Sequence, residues 1–329
     1  MARSMVGFDI GTQELKIVQW NGSRVRKAVS LPLPDNLVRG GLIVSYDAMA
    51  DFLKTAVRQN RISARSCAVV LPAPLVYLRR LTLPAMDTSQ LSYNLPYEFR
   101  DYLTMPKEKY IYDYSVNRLL RDDDGTPKSL DLTACAVARS VIDDYRTMFR
   151  KAGFKLQTAL PVECAYANLI EHSGAQEGHE LCLVDLGHDC TRVYIYSGSD
   201  FETSRTIDLG LSALDDLVAS SQGVDSHIAH AYVQSNHDGV QEQEGAREIY
   251  QNIARNVQQT VNFYGFNHRD SNLREVWCIG GGIQYPAFVD TISSTLVLDI
   301  ASAEHHLPEA EASEQPLSVF AAAIGAAIQ

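Results

Sequence analysis

Apolar runs broken by short polar turns organise the first 32 residues. "VGFDI", "ELKIVQW" and "VRKAVSLPL" predict strands, and "NGS" between the last two is a hairpin signal. In "SYDAMADFLKTAVRQN", Met49, Phe52, Leu53, Ala56 and Val57 recur at helical spacing. "SCAVVLPAPLVYLRRLTLP" then reads as two extended runs interrupted by Pro72 and Pro74. "DTSQLSYNLPYEFRDYL" predicts a helix with Asp87 or Thr88 as N-cap and Leu91, Leu95, Phe99 and Tyr102 on its apolar side, kinked or split at Pro96. Strands near 110–120 and 130–138 flank the polar loop "RDDDGTPK", and the helix "SVIDDYRTMFRKAG" stops at Gly153. Residues 67–152 together read as a small sheet-and-helix unit inserted into a larger frame.

From residue 155 the pattern starts again: a short strand, a helix near "VECAYANLIEH", and then "LCLVDLGHDCTRVYIY", which repeats the opening design. A strand running to "TIDLG" follows, with helices over about 211–221, 225–236 and 243–267. A buried strand (276–279) next enters Gly280, Gly281 and Gly282, with Pro286 in the first turn of the helix after them. The apolar "LSVFAAAIGAAIQ" at the end is expected to pack on the main sheet.

Each hairpin carries an acid inside an apolar strand, Asp9 or Asp185, followed by a glycine two residues on. A buried acid is costly unless it is paired or coordinated. One Asp-Gly pair is an ordinary turn signal; two at the start of similar strand orders suggest an internally duplicated α/β chain whose halves face each other across a cleft. The residues suit phosphate. A bare glycine turn aims backbone N–H groups at an anion, Thr12 and Thr191 add hydroxyls, and Lys16 adds a positive charge. Asp9 and Asp185 would repel phosphate directly, so their role there is to hold the waters of a bridging Mg²⁺. The triple glycine allows a flat ring or a phosphate to approach closely, although a tight strand-to-helix turn also explains it. It is neither GxGxxG nor a Walker loop, so dinucleotide and P-loop readings fail on residues.

Composition narrows the partners. At roughly 150 residues per domain, 329 residues suggest about two domains. With 46% hydrophobic and 21% charged residues the chain is an ordinary globular one, and a net charge of −11 argues against a general nucleic-acid binder. Arg79-Arg80 is too small an exception to change that. No apolar run approaches the ~20 residues of a membrane helix, and with a strand predicted from residue 6 and no charged leader and apolar core ahead of it, no secretory signal is expected. The six cysteines lack metal spacing and read as reduced, buried thiols. The nine histidines make no better metal case, and His305-His306 reads as a solvated loop.

Hairpin, inserted unit, second hairpin and triple-glycine turn, in that order, resemble the actin-like ATPase superfamily, and within it the PilM family of type IV pilus assembly proteins, with the FtsA division proteins as relatives. "FDIGTQELKIVQW", "VVLPAPLVYLRRLTLPAMDTSQL", "YRTMFRKAGFKLQTALPVECAYANLI", "VDLGHDCTRVYIY" and "WCIGGGIQYPAFVDTI" carry the likeness over nearly the whole chain. The resemblance implies an α/β, actin-like (ribonuclease H-like) duplicated fold with an SHS2-type small subdomain. The expected divisions are 1–66 and 153–178 for domain 1, 67–152 for the insert, 179–316 for domain 2, and 317–329 for a helix packing back on the core. ATP with Mg is implied to lie against Asp9, Gly11, Thr12, Gln13 and Lys16, against Asp185, Gly187, His188 and Thr191, and against Gly280, Gly281, Gly282 and Ile283. Asp9 and Asp185 would take the metal through water, and Glu163 falls where relatives orient the attacking water.

The chain departs from the family in one place. Relatives carry Ala-Glu-x-x-Lys on a helix whose Glu and Lys grip ribose and base, whereas "SHIAHAYVQS" offers Ala229-His230 and then Val233. Each unmade charged hydrogen bond forfeits about 1–3 kcal/mol, so binding is expected to be weak and hydrolysis weak or absent.

The resemblance implies a cytoplasmic adaptor at the inner face of the cell membrane. It would be held there by a partner, with no direct membrane anchor and no nucleic acid. The implied partner is the short N-terminal cytoplasmic peptide of a single-span inner-membrane protein (PilN-type), added beside a strand of the insert, with residues 69–71 and 75–83 as candidate edges. Self-association stays open. An FtsA-like filament protein is the alternative; it would carry a C-terminal amphipathic membrane helix, while residues 317–329 read as core. A sugar-kinase-type enzyme is the third reading, and it lacks a convincing base for a sugar hydroxyl.

Overall fold

The computed structural model describes residues 4–174 and 179–328. The chain forms two compact units, one built from the residues up to Asn168 with Ala310–Ala312 and the chain end from Ala322, the other from Leu169–Glu309 and Ser313–Ala321.

In the first unit β1 (Met5–Ile10) pairs antiparallel with β2 (Glu14–Trp20), which pairs antiparallel with β3 (Val25–Pro32). A short ribbon, β4 (Val38–Arg39) and β5 (Leu42–Ile43), leads to α1 (Tyr46–Gln59). Ser45 caps α1 by accepting the Ala48 N–H, and the helix buries Met49, Ala50, Leu53, Ala56 and Val57. β6 (Ser66–Leu71) lies parallel to β1.

A separate antiparallel sheet follows, built from β7 (Val76–Pro84), β8 (Tyr110–Arg121) and β9 (Pro127–Ala138) in the order β7-β9-β8. Its helix α2 (Thr88–Glu98) begins with a capping box between Asp87 and Gln90 and ends two residues after Pro96. Leu81, Leu83, Leu91, Leu95, Phe99, Tyr110 and Leu132 give this sheet its own core.

α3 (Arg139–Lys151) returns to the first sheet, where Tyr145, Met148 and Phe149 join its core and the Phe149 ring lies 5.0 Å from that of Phe8. β10 (Lys155–Pro161) completes the order β10-β6-β1-β2-β3, and α4 (Val162–Ser173) follows. The separate sheet therefore spans 76–138, narrower than the 67–152 read from the sequence. β6 and α3 belong to the larger core because both bury apolar side chains in it. Residues 69–71 lie in β6, paired on both sides by β10 and β1, so they are not an edge, while β7 is an outer strand of its sheet.

The second unit repeats the plan. β11 (Glu180–Leu186), β12 (Thr191–Ser197) and β13 (Asp200–Ile207) are antiparallel neighbours. α5 (Ser212–Gln222), α6 (Ser226–Gln234) and α7 (Glu244–Asn267) follow, then β14 (Glu275–Ile279), α8 (Pro286–Thr295) and β15 (Asp299–Ala301). β14 runs parallel to β11, and β15 parallel to β14. The order β13-β12-β11-β14-β15 matches β3-β2-β1-β6-β10 strand for strand. The internal duplication expected from two Asp-Gly hairpins is thus present in strand order and direction.

The last helix, α9 (Ala321–Ala327), is buried, with Ala323, Ile324 and Ala326 fully covered. It comes so close to β1 that a Cβ on Gly7 would overlap the Ala323 carbonyl oxygen. All six cysteines are free; Cys67, Cys182 and Cys278 are buried and the other three half-buried. Burial pushes the Cys278 thiol up to about 12, so it is not a thiolate at neutral pH.

Candidate functional site

Asp9 is the penultimate residue of β1 and faces Lys16 across the β1–β2 register, as Asp185 is penultimate in β11 and faces Arg192. The two turns share one close approach. A Cβ on Gly11 would lie 2.9 Å from the Glu14 carbonyl oxygen, and one on Gly187 would lie 2.6 Å from that of Cys190. Each glycine is therefore required by the carbonyl three residues on, which folds back over it.

In the first unit, Lys16 Nζ stands 4.0 Å from Asp9 Oδ2, with both side chains partly exposed. The positive charge assigned to phosphate thus already neighbours the acid. Gly11, Thr12 and Gln13 are half-buried, and the Gln13 carbonyl accepts the Leu33 N–H at 2.8 Å, tying the turn to the chain just beyond β3. Glu163 lies in the first turn of α4 and is half-buried. Burial first, then the negative charge of Asp113 and, more weakly, that of Glu163, push the Cys135 thiol up to about 11.

In the second unit Asp185, Gly187, His188, Thr191 and the glycine run gather at one end of the sheet. Gly280 has φ +87°, and a Cβ there would overlap Asp185 Oδ1 and sit 3.0 Å from the Leu186 carbonyl oxygen. A Cβ on Gly282 would come 2.5 Å from Leu186 Cβ, whereas nothing lies within 4 Å of one on Gly281. Packing against β11 thus accounts for Gly280 and Gly282, while Gly281 faces open space. Ile283 is half-buried against the core of this unit. The Gly280 N–H donates to the Ser318 carbonyl at 3.0 Å. Glu304 holds Ser318 in turn, accepting its N–H at 2.6 Å and its hydroxyl, as well as the Leu317 N–H at 3.1 Å.

Thr191 is fully buried and its hydroxyl donates to the Leu209 carbonyl at 3.0 Å, so that donor braces the hairpin. Gly210, passed over in the sequence, braces the same turn. A Cβ on it would overlap the His188 carbonyl oxygen, which accepts the Ser212 N–H at 2.8 Å.

His188 is held on both ring nitrogens: Nδ1 lies 2.7 Å from Asp189 Oδ1 and Nε2 lies 2.9 Å from Asp215 Oδ2. His230 Nδ1 reaches the same Asp215 oxygen at 2.7 Å. Burial works to lower the His188 pKa, but the hydrogen bonds and charges of Asp189 and Asp215 outweigh it and push it up to about 9. Burial likewise works to raise the Asp215 carboxyl, and the hydrogen bonds from His188 and His230 hold it below the usual range. Asp215 was missed in the sequence. Its one signal is position, an acid beside Leu214 on the buried stripe of α5 that continues to Val218.

Among the described residues no helix is long and apolar enough to cross a membrane. No curated protein sequence is significantly similar to the chain. Among solved structures, the chain is similar to a "PilM-PilN type IV pilus biogenesis complex" chain (TM-score 0.81, 18% identity, covering 98% of this chain and 97% of that one). It is also similar to the ethanolamine utilization protein EutJ from Carboxydothermus hydrogenoformans (TM-score 0.61, 14% identity, 100% and 90% covered). A third likeness is to MreB5 of Spiroplasma citri bound to ADP (TM-score 0.52, 12% identity, 97% and 94% covered). At these identities the likenesses show the fold, which is the actin-like ATPase fold. The sequence profile of the family described as "Type IV pilus assembly protein PilM" matches residues 7–322, and the chain belongs to that family.

Proposed function

We propose that this chain is a cytoplasmic nucleotide-binding adaptor of type IV pilus assembly. It binds Mg-ATP through its Asp-Gly turns and glycine run, turns it over slowly or not at all, and recruits the N-terminal cytoplasmic peptide of a PilN-type inner-membrane protein. The observation that carries the nucleotide part is the repeat of one strand order with one Asp-Gly turn in each unit. The open space at Gly281 supports it, as does the ADP bound to the similar MreB5. Slow turnover follows from His230 and Val233 standing where relatives keep Glu and Lys. The partner is inferred from family membership and from the complex named above.

Isothermal titration of the full chain with Mg-ATP tests the nucleotide part. Wild type is expected to bind, and Asp9→Ala to weaken binding at least about tenfold, or roughly 1.4 kcal/mol, with an unchanged melting profile. Equal affinity in the variant refutes the assignment of Asp9, and rapid steady hydrolysis by wild type refutes the adaptor without turnover.

For the peptide, the outer strand β7 is the surface we favour, because an outer strand is the place where a sheet can take a further strand. Exposed Tyr93, Tyr97 and Tyr102 lie in the same sheet-and-helix unit, with Arg79 of β7 stacked 4.0 Å over the Tyr102 ring. A synthetic PilN-type N-terminal peptide is expected to slow amide hydrogen exchange across residues 76–84. Protection confined to β8, or none anywhere in the insert, would overturn this placement.

A further inference from the structure

Histidine spacing along the sequence offers no metal site, but the fold makes one of residues from three separate elements. We propose that His188, Asp215 and His230 bind a first-row divalent transition ion, Zn²⁺ by first choice, through His188 Nε2, an Asp215 carboxylate oxygen and His230 Nδ1. These atoms all lie within 4.8 Å of one another. The two imidazoles meet edge to face, at 79° with ring centroids 5.5 Å apart, so their nitrogens converge on one oxygen and the rings do not stack.

Four features mark a built site. Asp215 is only 8% exposed, and its second oxygen, Oδ1, is buried with no hydrogen-bond partner. A buried carboxylate oxygen without a donor is an unfavourable state that a cation relieves. His188 is oriented from behind by Asp189 at 2.7 Å, the carboxylate–histidine arrangement that fixes a metal-binding imidazole. The His188 loop is pinned by the Ser212 N–H and by the close passage of Gly210, so this ligand is held in place before any ion arrives. Finally, the spacings suit replacement of the shared protons. Tetrahedral Zn²⁺ bonds of about 2.0–2.1 Å separate ligand atoms by about 3.3 Å; here the two nitrogens stand 2.9 and 2.7 Å from Asp215 Oδ2, and all three atoms lie within 4.8 Å of one another, so small side-chain shifts admit the ion.

The ligand set chooses the metal. Two imidazoles and one carboxylate favour Zn²⁺, Co²⁺ or Ni²⁺ over Mg²⁺ and Ca²⁺, which prefer all-oxygen shells. Three protein ligands leave one tetrahedral position for water. The bound ion would fasten the second Asp-Gly turn to α5 and α6, so occupancy is expected to stabilise the second unit. None of this rests on nucleotide binding.

The test uses the full chain without a histidine tag, stripped with EDTA and free of nucleotide, titrated with Zn²⁺ and separately with Co²⁺. One ion per chain is expected, with the visible absorption of tetrahedral Co²⁺, a raised melting temperature, and no displacement by excess Mg²⁺. His230→Gln and Asp215→Asn are expected to weaken Zn²⁺ by about a hundredfold or more, Asp189→Asn by about tenfold, and His237→Gln, which is not part of the cluster, not at all. His230, at the more exposed end of the cluster, keeps the test decisive if Asp215→Asn fails to fold. No uptake by wild type, undiminished uptake by His230→Gln, or equal loss with His237→Gln each overturns the proposal.

Discussion

Gly7→Ala is expected to destabilise the first unit by about 3 kcal/mol, the upper end of ordinary overpacking, and to lower its melting temperature by roughly 5–10 °C. The added Cβ would overlap the Ala323 carbonyl oxygen and lie 2.9 Å from its carbonyl carbon and 3.1 Å from Ala327 Cβ. Two of these atoms are backbone, so no rotamer relieves the contact and α9 must move off β1. Gly325 makes the reciprocal approach, with its Cβ position overlapping the Ala165 carbonyl oxygen. Gly265, within α7, has nothing within 4 Å of its Cβ position. Gly265→Ala is therefore expected to gain about 0.5–1 kcal/mol from helix propensity alone. Thermal melts of the two variants side by side decide the matter: a Gly7→Ala protein that melts with wild type means that α9 does not seat on β1.

Glu304→Ala is expected to cost about 2 kcal/mol, because it strips the acceptor from the N–H groups of Leu317 and Ser318, and Ser318 is 3% exposed. The loss also propagates. The Ser318 carbonyl receives the Gly280 N–H, and Gly280 packs on Asp185, so amide exchange at Gly280–Ile283 is expected to accelerate in the variant. Glu304→Gln retains one acceptor oxygen and presents an NH₂ group where the second should be, which places it between the two. Urea denaturation orders the three proteins. Equal midpoints for wild type and Glu304→Ala would mean that solvent already satisfies these donors.

The elements themselves were readable because their causes are local. Apolar runs split by "GTQE" and "GHDC" give antiparallel hairpins, Ser45 and Asp87 start helices by offering side-chain oxygens, and Gly153 with φ +93° follows the end of α3. The repeat of Asp-x-Gly was legible for the same reason, since the carbonyl that requires each glycine lies three residues away. The reason for the triple glycine was only half legible. Its use as a tight turn is local, but the crowding of Gly280 and Gly282 comes from Leu186 and Asp185, almost a hundred residues earlier.

By itself the sequence determined most of the strands and helices and that one hairpin design occurs twice, because backbone conformation and solvent exposure respond to neighbours within a few residues. The short β4, β5 and β15 left no such mark, and α2 stops at Glu98, short of the apolar side read as far as Tyr102. Tertiary structure alone decided that β6 is an interior strand and β7 an outer one, since a buried apolar run looks the same wherever it pairs. It alone decided that Asp215 stands between His188 and His230, for convergence of side chains from a turn and two helices is set by packing and leaves no periodic mark on the chain.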